Sequence, residues 1–137
     1  MYVIYVDGSY NIKKNACGYG LVITKDDISI YEEYKTISHD AVKMRNVLGE
    51  IVGSCRAMEL ALKHNIKEIT IAFDYEGIEK WAIGAWKAKN EHTQAYAKYA
   101  QYIMSKIKVN FLKIKAHTGV EFNERADTLA KMGAQFE

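Results

Sequence analysis

The hydrophobic pattern of this chain changes period once, about a third of the way along, and that change excludes most folds. Before it, apolar residues come in short β-branched or aromatic runs at 2–6, 18–23 and 28–35. The first run stops at Asp7-Gly8-Ser9 and the second at Lys25-Asp26-Asp27. From about residue 44 to 64 the spacing is helical, with Val47, Ile51, Ala57, Met58 and Ala61 broadly on one stripe and Leu62 nearby. Residues 68–73 then read as a strand ending in Asp74, 75–87 and 91–107 as helices, 109–114 as a strand and 123–134 as a helix. The expected order is β-β-β-α-β-α-α-β-α. Hairpins first and βα units later predict an α/β fold with a five-stranded mixed sheet. Three strands would be antiparallel, the last two parallel to the first through right-handed crossovers, with helices on both faces.

Length and composition narrow the class. The 137 residues suit one domain over 1–137, and 49% hydrophobic with 26% charged residues is globular rather than disordered. No apolar run approaches the roughly 20 residues of a membrane span, and the N-terminal run meets Asp7 without a basic leader. Cys17 and Cys55 have no neighbours at zinc-ligand spacing, which points to a reducing cytoplasm. The net charge of +2 is unevenly spread. Residues 80–115 hold eight lysines against Glu91, a net +7, which leaves −5 for the rest. A lysine-rich solvated surface and a polyanion-binding one both fit that asymmetry.

Four acids stand out by position. Asp7 and Asp74 follow strands that the expected topology makes parallel neighbours, and sites form at the carboxyl ends of such strands. Glu50 borders the apolar stripe of the first helix, and Asp127 falls in the first turns of the last. Singly, each suits a cap or a loop. Together they would crowd one sheet edge, with the backbones of Asp7 and Asp74 about 5 Å apart. Crowded carboxylates repel until a cation joins them. All-oxygen donors favour hard ions such as magnesium. A pair of these about 4 Å apart can drive an in-line phosphoryl displacement. An acidic centre beside a basic flank points to a metal-dependent nuclease.

The motifs resemble those of the type 1 ribonucleases H over nearly the whole chain. They are Asp7-Gly8-Ser9 with Gly18-Tyr19-Gly20, Gly49-Glu50 leading to Ala57-Met58-Glu59-Leu60, and Phe73-Asp74. Lys115-Ala116-His117-Thr118-Gly119 leading to Asn123-Glu124-Arg125-Ala126-Asp127 completes the set. The resemblance implies a ribonuclease H-like fold and an endonuclease that cuts the RNA strand of RNA–DNA hybrids, leaving 5′-phosphate and 3′-hydroxyl ends. It implies two Mg²⁺ ions on Asp7, Glu50, Asp74 and Asp127, with Mn²⁺ as a substitute, and His117 as a mobile-loop histidine. Gly8, Ser9, Arg45, Asn46 and Asn123 would touch the hybrid, as would Trp86, Lys87 and Lys89 of a basic, aromatic protrusion. Glu124 and Trp81 are further candidates, with capping and core packing as their competing roles. The partner it implies is the hybrid duplex, and a monomer with no membrane partner is expected.

The chain departs from the family where Arg45-Asn46-Val47-Leu48-Gly49 replaces the usual Thr-Asn-Asn/Gln-Arg run. A hydroxyl becomes Arg45 and an amide becomes Val47, with Arg45 left to contact phosphate. The protrusion is longer between its tryptophans and shorter after them. Tyr96, Tyr99 and Tyr102 recur on one helix and read as packing. A resolvase- or exonuclease-type enzyme on the same fold, and a non-catalytic hybrid-binding module, are the rival readings.

Overall fold

Strand β1 (Tyr2–Asn11) runs up the centre of a five-stranded sheet, with β2 (Ala16–Lys25) and β3 (Ile28–Ile37) on one side. β4 (Glu68–Phe73) and β5 (Lys108–Lys113) lie on the other side, giving the order β3-β2-β1-β4-β5. This computed structural model describes residues 1–37, 44–115 and 120–137. The β1–β2 and β2–β3 pairs are antiparallel, while β4 is parallel to both β1 and β5. That is the mixed topology the change of period predicts.

The two faces are covered separately. Helix α1 (Asn46–Lys63) lies on one face, with α2 (Gly77–Ala82) and α3 (Glu91–Met104) beside it. Helix α4 (Glu121–Gly133) lies on the other. Ile4, Val6, Leu21, Ile69, Ile71 and Phe73 meet Ala57, Met58, Ile78 and Ile103 in the main core, all fully buried. Burying side chains of this size stabilises by about 1.5–3 kcal/mol each. A smaller cluster of Val22, Ala126 and Leu129, with Tyr5 and Phe122 packed on it, seats α4. Buried Tyr96 directs its hydroxyl to the Ile78 carbonyl at 2.7 Å, so α3 and α2 are tied without an orphaned donor. No described helix is long and apolar enough to cross a membrane.

Several element ends differ from the sequence reading. Asp7 does not end its strand, because β2 continues to pair with β1 as far as Asn11. The helix expected over 75–87 is one and a half turns long. It stops at Ala82, the chain turns through Gly84 at φ +80°, and Trp86 N–H returns to the Lys80 carbonyl. The stripe on α1 is wider than expected: Leu48 and Leu60 are buried while Val47 and Leu62 are only half-buried, since α3 and the sheet cover different sides. Of the three tyrosines on α3, only Tyr96 is fully packed. Tyr99 is half-buried and Tyr102 is exposed.

Candidate active site

The parallel ladder between β1 and β4 ends at Tyr5 and Ala72, although β1 remains bonded to β2 beyond that point. Continuing the register places Asp7 opposite Asp74. The sheet therefore splits at the carboxyl end of β4, and both acids flank the opening. Glu50 reaches the same place from α1. It can do so because Gly8 lets the helix press against β1: a Cβ at Gly8 would collide with the Asn46 carbonyl and the Glu50 nitrogen. Oxygens of Asp7, Glu50 and Asp74 lie within 4.8 Å of one another.

The electrostatics of this trio are unfavourable without a cation. Burial, then the charge of Asp74, push the Asp7 carboxyl up to about 8, with Asp127 adding to the rise and the Gly8 amide opposing it. Glu50 is 1% exposed. Burial and then Asp74 raise its carboxyl well above the usual range. Its Oε1 accepts the backbone N–H groups of Asp74 (3.0 Å) and Tyr75 (3.1 Å). Asp7 Oδ1 accepts the Gly8 N–H at 2.9 Å. Backbone amides thus aim these side chains, while Glu50 also meets the Asp74 carboxyl and Asp7 meets that of Asp127. All-oxygen donors, close together and repelling, fit a hard divalent ion.

Around the trio lies a cleft of about 550 Å³ lined by Asp7, Gly8, Ser9, Tyr10, Arg45, Asn46, Asp74, Tyr75 and Asp127. A larger cavity, about 660 Å³, sits between β2–β3 and α1–α3. It is mainly apolar and holds none of the four acids, so the chemistry belongs to the cleft.

The predicted residues fall into distinct places. Asp127 lines the cleft beside Asp7, yet its Oδ2 is held by Lys131 Nζ at 3.1 Å and it lies outside the 4.8 Å group. Arg45 and Asn46 are exposed at the rim, where the Arg45 guanidinium sits 5.7 Å from the Tyr10 ring. Asn123, expected to touch the hybrid, is buried and does not line the cleft, and its Oδ1 has no hydrogen-bond partner among the described residues. Glu124 belongs to a separate groove with Glu32 and Arg125 rather than to the cleft. Trp81 packs half-buried against the core, whereas Trp86, Lys87 and Lys89 are exposed. His117 lies outside the described residues. Tyr10 and Tyr75 also line the cleft, and each directly follows a site motif in sequence, the one signal that points to them.

Fold and cleft together define an α/β protein with an acidic site suited to a divalent cation. The RNase H family model matches residues 1–135, and the chain belongs to that family. It is 30% identical to the ribonuclease H of Pseudoalteromonas translucida strain TAC 125, an alignment that covers 96% of this chain and 88% of the relative. Among solved structures it resembles RNase H1 from the archaeon Halobacterium salinarum NRC-1. The TM-score there is 0.81 at 22% identity, with 98% of this chain and 97% of the other covered. It also resembles LC11-RNase H1, solved in complex with an RNA/DNA hybrid, at TM-score 0.80 and 22% identity over the same shares of the two chains.

Proposed function

We propose that this chain hydrolyses the RNA strand of RNA–DNA hybrids endonucleolytically, leaving 5′-phosphate and 3′-hydroxyl ends. The observation that carries the reading is the carboxylate trio of Asp7, Glu50 and Asp74, brought from three separate elements to within 4.8 Å and uncomfortable as bare anions.

Asp7, Glu50, Asp74 and Asp127 are the residues we assign to holding two Mg²⁺ ions, or Mn²⁺ in their place. Such ions supply a water of lowered pKa and offset charge building on the departing oxygen. The chain's own contribution is positioning. The amides of Asp74 and Tyr75 fix Glu50, the Gly8 amide fixes Asp7, and Lys131 steadies Asp127. Arg45 and Asn46 at one rim suit contacts to the minor groove and to phosphate, where the ribose 2′-hydroxyl is read. Gly8 and Ser9 place backbone groups on the cleft floor. Trp86 is suited to lie against a DNA sugar, with Lys87 and Lys89 on phosphates. His117 we assign, by family resemblance, to proton transfer or release of product. We read the enzyme as a cytoplasmic monomer.

Incubating the protein with end-labelled RNA–DNA hybrid, duplex RNA or duplex DNA, with magnesium or EDTA, tests the reading. The expected result is cleavage confined to the RNA of the hybrid and abolished by EDTA. Cleavage of branched or duplex DNA would favour another nuclease of this fold. Binding without cleavage would favour a recognition module.

A further inference from the structure

Tyr75 is placed between the acidic trio and the aromatic protrusion. Its backbone N–H donates to Glu50 Oε1 at 3.1 Å, and the Asp74 N–H donates to the same oxygen at 3.0 Å. Its side chain points the other way along the cleft wall. The ring centroid lies 5.7 Å from that of Trp81 and 6.3 Å from that of Trp86, and the two tryptophans are 5.9 Å apart. Three aromatic rings in mutual contact at these separations stabilise one another beyond their burial. Gly77 keeps the stack closed, because a Cβ there would run into both the Tyr75 and Trp81 rings. One end of the stack is anchored, since Trp81 packs on the main core. The other end is Trp86, 38% exposed beside Lys87 and Lys89.

The residue that holds Glu50 by its backbone is therefore held by its ring against the surface assigned to nucleic acid. We propose that Tyr75 is a positioning residue that couples the two, so that a divalent cation at Asp7, Glu50 and Asp74 and a hybrid seated on Trp86 favour one another. The inference rests on the proposed function. Linkage requires the coupling to be reciprocal: whatever factor the hybrid adds to cation affinity, the cation adds to hybrid affinity. The ring carries the effect, since no hydrogen bond is seen from the Tyr75 hydroxyl among the described residues.

Trp81 and Trp86 are the chain's two tryptophans, so intrinsic tryptophan emission reports this stack and nothing else. The test titrates Mg²⁺ alone into wild type, Tyr75→Ala and Tyr75→Phe, following calorimetric heat and tryptophan emission in parallel, with melting curves to establish folding. For wild type, emission should change over the same Mg²⁺ range as the heat. Tyr75→Ala should bind Mg²⁺ about tenfold more weakly, the lower end of what outer partners of a metal site contribute, and its emission should ignore Mg²⁺. Tyr75→Phe should match wild type in both signals. In EDTA, the change in emission on adding hybrid should persist in Tyr75→Ala, because Trp86 is still present. Should Tyr75→Ala not fold, Tyr75→Leu carries the same comparison. Unchanged Mg²⁺ affinity in the folded Ala or Leu variant would overturn the inference, as would a Phe variant as impaired as Ala. Mg²⁺ uptake with silent tryptophans in wild type would overturn the coupling alone. No uptake by wild type would overturn the functional reading and the coupling together.

Discussion

Asp7 illustrates how a side chain suited to holding a cation works against the stability of the fold that presents it. Its carboxyl is held at about 8, against an ordinary value of 3.8. A group raised in this way contributes its stability fully below the unfolded value and loses it as pH climbs through the folded value. The metal-free protein should accordingly lose stability from about pH 4 to about pH 8. Asp7→Asn keeps the shape and removes the charge. It should abolish hybrid cleavage while raising metal-free stability at neutral pH by about 1–3 kcal/mol. Urea denaturation in EDTA, run across that pH range, checks both the gain and the flattened pH dependence. Single residues were also where sequence reading reached least far. Asp7, Glu50 and Asp74, which the structure brings together, are legible because acids are unusual at a sheet edge. Asn123 is polar in type but buried in place, which residue type alone does not show, and Tyr75 follows an acid of the site directly, a position whose meaning depends on the fold.

Among the elements, β3 is tied by ion pairs to helices on both faces of the sheet. It is an edge strand and mostly exposed. Glu33 accepts from both the Nε and Nη2 of Arg56 on α1, and also from the hydroxyls of Tyr19 and Tyr31. Glu32 pairs with Arg125 of α4 on the opposite face. Burial alone would raise the Glu33 carboxyl, but the Arg56 and tyrosine hydrogen bonds outweigh it and bring it down to about 2. The sign is opposite to that of Asp7. Stability from Glu33 is present above about 4.5 and is lost as pH falls toward 2. Glu33→Gln should cost about 1–3 kcal/mol at pH 7, because it leaves Arg56 without its charged partner. The cost should shrink toward zero near pH 2, and thermal melts at pH 7 and pH 2.5 measure the difference. The sequence shows that these strands and helices exist, since periodicity is set by which face is buried. It does not show where they end. β1 runs past Asp7 because β2 offers partners there, and the helix after Asp74 closes early because Gly84 turns Trp86 back onto Trp81.

At the scale of the whole molecule, the charge asymmetry acquires a direction. The basic window 80–115 maps onto the end of α2, α3, β5 and the turns between them, with Lys87 and Lys89 on the turn that follows α2. Some of those lysines are already partnered: Lys80 with Glu76 and Lys108 with Glu68. Lys87 and Lys89, next to Trp86, are exposed and have no ion-pair partner among the described residues. Their joint replacement by Ala should weaken hybrid binding in EDTA. It should also lower the slope of log affinity against log salt by about 1–2, as expected when two phosphate contacts are lost. An unchanged slope would place the phosphate-binding surface elsewhere. The topology that joins the basic flank to the acidic edge was legible in outline from the order of the elements. The contact network between them was not, because it depends on side chains that meet only after the chain has folded.

The most direct test of the acidic cleft as a cation site is calorimetric titration of Mg²⁺ into the metal-free protein at pH 7, repeated in buffers of different ionisation enthalpy. With Asp7 held at about 8 and Glu50 raised well above its ordinary value, the bound cation must displace protons. Mg²⁺ uptake should release about one proton or more per site, and Asp7→Asn should lose both the uptake and the release. Uptake that leaves the proton count at zero, or that survives Asp7→Asn unchanged, would contradict the assignment.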